Sequence, residues 1–116
     1  MRRDMDLCRQ ILFEIEKNDE VPIGWISIDI AGRSNTEVSY NVLQLAEAGL
    51  VEARDISTDD GLDVRPVRLR WSGHEFLDAV RKDTIWNKAK EIVKAKSGGL
   101  AFDLLFHVAK NLVLGV

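Results

Sequence analysis

The sequence has one cysteine, two prolines and no uninterrupted apolar run long enough to cross a bilayer. Each shortage closes off a class of protein. The single thiol, Cys8, cannot form an intramolecular disulfide, so the chain depends on a hydrophobic core and not on covalent staples. Its position on the apolar side of an expected helix makes it a small core residue. The N-terminus, MRRDMDLCRQ, has arginines with no apolar stretch behind them, which is not the pattern of a secretory signal. The most apolar segment, residues 100–116, is interrupted by Asp103, His107, Lys110 and Asn111 and is short of the ~20 residues a span requires. A lone thiol without signal or span points to a cytoplasmic protein that does not enter the membrane.

Catalytic and metal-binding patterns are also lacking. There is no GxxxxGK[ST] loop, no GxGxxG fingerprint and no HExxH pair. His74 and His107 stand far apart with no partner cysteine. Asp59, Asp60 and Asp63 do not have the spacing of an EF-hand loop, and no glutamate closes it. No serine lies in a nucleophile elbow, and Cys8 has no evident base. The expectation is a protein that is not an enzyme and takes no metal or cofactor.

The third shortage is of positive charge. Residues 1–50 carry five basic and nine acidic side chains, a net of −4. Residues 51–83 carry six and eight, a net of −2, and residues 84–116 carry five and two, a net of +3. Only the C-terminal part is basic, and its Lys88, Lys90, Lys94 and Lys96 spread around one helix. A protein held to DNA by phosphate contacts is expected to show a basic face.

What remains is an ordinary globular balance, 46% hydrophobic and 30% charged over 116 residues. That is enough for one domain with an appended helical element. Residues 4–17 read as a helix, with Asp4 as cap and Met5, Cys8, Ile11, Leu12 and Ile15 at helical spacing. Asn18–Pro22 is a polar stop. Trp25–Ile30 alternates in the manner of a short strand. Ser34 or Asn35 caps a second helix that runs to about Ala48 and stops at Gly49. On this helix Val38, Val42, Leu45 and Ala46 share one side, and Glu37, Tyr40, Asn41, Gln44 and Glu47 share the other. Val51–Ile56 and Val64–Trp71 read as strands joined by a polar loop, residues 57–63. Val67, Leu69 and Trp71 point one way, and Arg68 and Arg70 the other. Ser72 caps a third helix beginning near Gly73. A fourth starts near Thr84 and breaks at Ser97, Gly98 and Gly99. The last runs from Leu100 to about Leu114.

A glycine-terminated helix feeding directly into a hairpin is the pattern of a winged helix, a helix-turn-helix variant. The expected fold is α+β, mostly helical. Residues 1–83 form the winged-helix domain and residues 84–116 a two-helix C-terminal extension.

Two segments carry a resemblance. SYNVLQLAEAGLV, residues 39–51, resembles the recognition-helix segment of bacterial winged-helix repressors, and LRWSGHEFLDAV, residues 69–80, resembles the end of their wing and the next helix. RRDMDLCRQIL and GHEFLDAVRKDTIWNKAKE are similar to the most specific stretches of a bacterial and phage family, domain of unknown function 2513. The resemblance implies a winged-helix body and an association with mobile elements, and it implies no activity. Asn41 departs from the histidine usual in that family. Trp25–Ile30 occupies the place where repressors have the second helix of the helix-turn-helix.

Two functions stay open at this level. One is a DNA-binding accessory or regulatory protein, in which Arg33, Asn35, Thr36, Tyr40, Asn41 and Gln44 meet the major groove of double-stranded DNA and Arg68 and Arg70 grip phosphates. Against it, residues 34–53 contain no basic side chain, and the loop tip is acidic. The other is a protein-interaction module on the same scaffold, with Arg54, Arg68 and Arg70 engaged in cross-strand pairs around Glu52. In either case the last helix is too apolar to stand alone. Either it packs across the winged-helix body or it pairs with another chain, and a homodimer through Leu104, Leu105, Val108 and Leu112 is the preferred arrangement.

Overall fold

The computed structural model describes residues 1–115. The elements in order are α1 (Met5–Glu16), α2 (Asn35–Glu47), β1 (Val51–Asp55), β2 (Val64–Leu69), α3 (Trp71–Ala79), α4 (Asp83–Ser97) and α5 (Phe102–Leu114). This is an α+β chain with one two-stranded antiparallel sheet. It divides into two compact units, Met1–His74 and the residues from Glu75 on, so the division falls inside α3.

In the first unit α1 begins where Asp4, in an extended conformation, accepts a hydrogen bond from the Leu7 N–H at 3.1 Å. That satisfies one of the donors the first helical turn leaves open. Met5, Leu7, Cys8, Ile11, Leu12 and Ile15 are all buried on one side. α2 begins with a capping box: the Ser34 hydroxyl accepts from the Glu37 N–H, and the Glu37 carboxylate accepts from the Ser34 N–H. It ends at Gly49, whose φ of +80° is left-handed. The Leu50 N–H then reaches back to the Leu45 carbonyl and the Gly49 N–H to that of Ala46. Only glycine takes that conformation without cost, and the paired bonds satisfy the last carbonyls of the helix. The chain thus leaves α2 at a set angle and enters β1 without a linker.

β1 and β2 pair from Val51↔Leu69 to Asp55↔Val64, and Val67 is passed over between Glu52↔Arg68 and Ala53↔Pro66. This bulge interrupts the alternation, so Pro66 and Val67 are both buried while Arg65 and Arg68 are half-exposed. The far edge of β2 is held from outside the sheet. The Val64 N–H donates to the buried Ser39 hydroxyl of α2 at 3.0 Å, and the Pro66 carbonyl accepts from the Ile26 N–H at 2.9 Å.

Two expectations from the sequence are corrected here. Trp25–Ile30 is not a strand. Its alternation is real, since the isoleucines turn inward and Trp25, Ser27 and Asp29 outward. However, Pro66 has no N–H to return the bond that Ile26 makes, so no ladder forms. Trp71 is not the inward end of β2. It is the first residue of α3 and is 78% exposed, and Ser72 lies inside the first turn rather than capping it.

In the second unit Phe76 of α3 is the centre of an aromatic group. Its ring meets Trp86 and Phe102 edge-on, with centroids 6.4 and 5.4 Å away, and Phe106 at a tilt, 6.4 Å away. Edge-to-face contacts of this kind stabilise beyond the area they bury. α4 presents Trp86, Ala89 and Val93 to the core and stops at Gly98, φ +74°. α5 buries Phe102, Leu105 and Ala109.

Gly73 has no room for a side chain. A Cβ there would lie 2.1 Å from the Leu50 carbonyl oxygen, the same oxygen that accepts the Arg70 N–H. In an open helix alanine is better than glycine by about 1 kcal/mol. Here the backbone clash reverses the sign, and Gly73→Ala is expected to destabilise by about 1–3 kcal/mol in urea unfolding. Gly24→Ala, which meets nothing within 4 Å, is expected not to lower the unfolding midpoint.

Candidate functional site

At about 100° per residue, the outward stripe of α2 is Thr36, Tyr40, Leu43 and Glu47, with Asn35 and Gln44 at its margins. Asn35, Thr36 and Glu47 are exposed; Tyr40, Leu43 and Gln44 are half-buried. Asn41 is corrected. It is 2% exposed and unavailable to any base edge. It lies toward the flank that α1 covers. Its Oδ1 accepts from the Asp4 N–H at 2.8 Å and from the Cys8 thiol at 3.5 Å, and its Nδ2 donates to the Glu37 carbonyl at 2.9 Å. Burial pushes the Cys8 thiol up to about 12, with the Asp4 charge adding to the effect, so the sulfur stays neutral and inert.

Arg33 is held by the same cluster. Its guanidinium sits 2.7 Å from Asp4 and 3.2 Å from Glu37. The hydrogen bond and charge of Asp4 raise its pKa further, with Glu37 contributing. Glu37 in turn is lowered by the Ser34 backbone N–H first and by Arg33 next.

The hairpin repeats this arrangement. Glu52 accepts Arg68 Nε at 2.9 Å on one oxygen and Arg54 at 2.8 Å on the other. These bonds, Arg54's foremost, lower its pKa. Arg65 forks onto both oxygens of Asp63, at 3.0 and 3.1 Å. The same guanidinium stacks 4.4 Å above the Trp25 ring and donates to the Ser27 hydroxyl at 2.8 Å. Arg70 is exposed and makes no ion pair among the described residues. So the sites expected from the sequence do not converge on one basic surface. Arg33 and Arg68 are tied to carboxylates, Asn41 is buried, and Asn35, Thr36, Tyr40, Gln44 and Arg70 remain accessible. The Trp25–Arg65 stack was not foreseen; the alternation that starts at Trp25 was legible, its partner 40 positions away was not.

Residues 1–74 carry nine basic and fourteen acidic side chains, a net of −5. A cleft of about 340 Å³ lies between the end of α1 and β2, lined by Ile15, Val67 and Leu69 together with Glu16, Asn18, Glu20, Arg68 and His74. Pro22 lines it, and the neighbours of Pro22 stand in solvent: Val21 is exposed and Ile23 is 87% exposed. Exposed Trp71 precedes His74 by one turn of α3.

Of the residues expected at a dimer interface, Leu105 is corrected: it is fully buried within its own chain. Leu104 is exposed, and Val108 and Leu112 are half-buried. Among the described residues no helix is long and apolar enough to cross a membrane.

A family model described as "Hypothetical protein (DUF2513)" matches residues 2–99. An "Uncharacterized protein" of Haemophilus influenzae is 36% identical over 113 residues, 97% of this chain and 96% of that one. No solved structure matches.

Asn41→Ala strips the Asp4 N–H of its buried acceptor and is expected to cost about 1–3 kcal/mol in urea unfolding. Thr36→Ala, on the exposed stripe, should stay within about 0.5 kcal/mol. Glu37, Glu52, Asp55 and Asp63 are all lowered in the folded chain. The stability they contribute is therefore present above the ordinary carboxylate values, 4.5 and 3.8, and is lost as pH falls through the depressed ones. Denaturation midpoints should decline on acidification below about pH 4.5, and Glu37→Gln should flatten part of that decline.

Proposed function

The chain belongs to the DUF2513 family of hypothetical proteins, and from that premise we propose that its first unit is a winged helix turned to protein recognition. In this reading α2 is the recognition helix and β1–β2 the wing. The expected partner is a protein and not a nucleic acid.

One observation carries the reading: of the five arginines between Arg33 and Arg70, four are held by carboxylates of the chain itself. Exposed ion pairs are weak, about 0–1 kcal/mol, so an arginine can leave one. The carboxylate it leaves behind would then face the phosphates. Glu37, Glu52 and Asp63 would each have to be carried to within a few ångströms of a polyanion. Proteins with six to ten phosphate contacts depend on a counterion-release term that this surface, with Arg70 alone unpaired, does not supply. Conversely, Ile23, next to the cleft-lining Pro22, and Trp71, one turn before the cleft-lining His74, are exposed large apolar side chains, and apolar surface of this kind, where it is contiguous, marks protein contacts.

A second reading, a DNA-binding accessory or regulatory protein, is favoured by the uncharged polar groups of the α2 stripe. Asn35 and Gln44 have the donor–acceptor pairs that match an adenine edge, and Thr36 suits a thymine methyl.

The two readings separate in one set of measurements. Duplex DNA titrated at about 150 mM salt should give no saturable change in fluorescence anisotropy at micromolar protein. Photocrosslinking residues placed at Ile23 and Trp71 should trap a protein in cells that one placed at Asp60, on the hairpin tip, does not. Sub-micromolar duplex binding weakened by Thr36→Ala or Gln44→Ala would instead establish the DNA reading.

A further inference from the structure

The segment from Trp25 to Ile30 is fastened to the hairpin at few points. Among the described residues its one backbone bond to β2 runs from the Ile26 N–H to the Pro66 carbonyl, and Pro66 has no N–H to return it. The rest of the fastening is one side chain. Arg65 stacks 4.4 Å from the Trp25 ring centroid, and its Nη1 donates to the Ser27 hydroxyl at 2.8 Å. Its Nε and Nη2 are held by the two oxygens of Asp63, so the guanidinium is aimed from the hairpin side. The charge of Asp29, further along the segment, acts on it as well. Packing beneath the segment is incomplete. Ile30 is buried, but Ile26 and Ile28 are only half-buried, and a recess of about 80 Å³ lies among Ser27, Asp29, Asn35, Val38 and Arg65.

The two ends of the segment differ. After Ile30 the chain turns through Gly32, φ +79°, and the Arg33 N–H donates to the Ile30 carbonyl. Arg33 is itself fixed by Asp4 and Glu37. Before Trp25, residues 19–24 are all exposed, and the one backbone–backbone bond among them is local, from the Ile23 N–H to the Val21 carbonyl. We propose that residues 25–30 are a strap with Arg65 as its latch, which opens from the Trp25 end about the Gly32 turn while α1, α2 and the hairpin stay folded. Opening breaks one backbone bond, one hydroxyl bond and one stacked contact, and it moves side chains that are only partly covered. Opening α2 would instead uncover Val38, Val42 and Leu45, all buried. Local openings use the least covered parts of a structure. The open form presents Trp25, Ile26 and Ile28 to solvent together, so the state of one guanidinium sets how much apolar surface this side of the unit shows. The proposal stands independently of the function proposed for the first unit.

Amide hydrogen exchange of the full chain, followed residue by residue by NMR with and without sub-denaturing urea, tests it. The Ile26 N–H should exchange about tenfold faster than the Val42 and Leu45 amides or more, at a rate that urea leaves nearly unchanged, because a local opening exposes little surface. Arg65→Ala and, separately, Trp25→Ala should each speed Ile26 exchange about fivefold, with Val42 and Leu45 unchanged. Arg65→Lys, which keeps the charge but loses the planar fork, should fall between Arg65→Ala and the unaltered chain. Trp25→Ala keeps the test decisive if Arg65→Ala does not fold. Ile26 exchange that rises with urea in step with Val42 and Leu45, or that is indifferent to the loss of the Trp25 ring, would overturn the proposal.

Discussion

The Asn41 side chain is the polar group through which the starts of α1 and α2 are held together. It lies where the dielectric is low, so an unmade hydrogen bond there costs far more than a made one contributes. Both of its ends are used. The oxygen takes the Asp4 N–H and the Cys8 thiol; the amide nitrogen reaches the Glu37 carbonyl one turn back on its own helix. Asp4, so placed, caps α1 with one carboxylate oxygen and holds Arg33 with the other. Arg33 leads on to Glu37, and Glu37 completes the cap of α2. Removing the amide would loosen the entry to both helices at once. It also explains why the arginine nearest α2 is not a free cation.

From that end the geometry passes down α2 to the hairpin. Ser39 gives β2 the acceptor that a third strand would otherwise supply, and Gly49 turns the chain directly into β1. The Leu50 carbonyl takes the Arg70 N–H at the far end of β2, and Gly73 packs against the same oxygen. Helix and hairpin are thus joined at both ends by backbone groups, with little slack between them. The cost of this rigidity is chemical. Four carboxylates, Asp4, Glu37, Glu52 and Asp63, hold the cations that a nucleic-acid surface would need to spend on phosphate.

The apolar content of the C-terminal unit follows a related rule. A small group of helices has one inside, and Phe76 with its three aromatic neighbours occupies it. A helix apolar over most of its circumference can turn only one stripe inward. α5 buries Phe102, Leu105 and Ala109, and Val113 and Leu114 are left in water.

Local rules settled the elements. Asp4 and the Ser34–Glu37 pair start helices, Gly49 and Gly98 stop them, and the acidic residues 57–63 turn the hairpin; each acts on neighbours within a few positions, so the linear sequence contains the whole cause. Periodicity likewise placed Val38, Val42 and Leu45 inside. Tertiary structure decided the rest. The period put Asn41 on the polar, outward side of α2, and an N-terminus 37 residues away covers it. Pro66 and Ile26, 40 positions apart, decide whether Trp25–Ile30 joins the sheet. The partners of Arg33, Arg65 and Arg68 depend on which carboxylate the fold brings within 4 Å, because a charge in the sequence states its sign but not its neighbour.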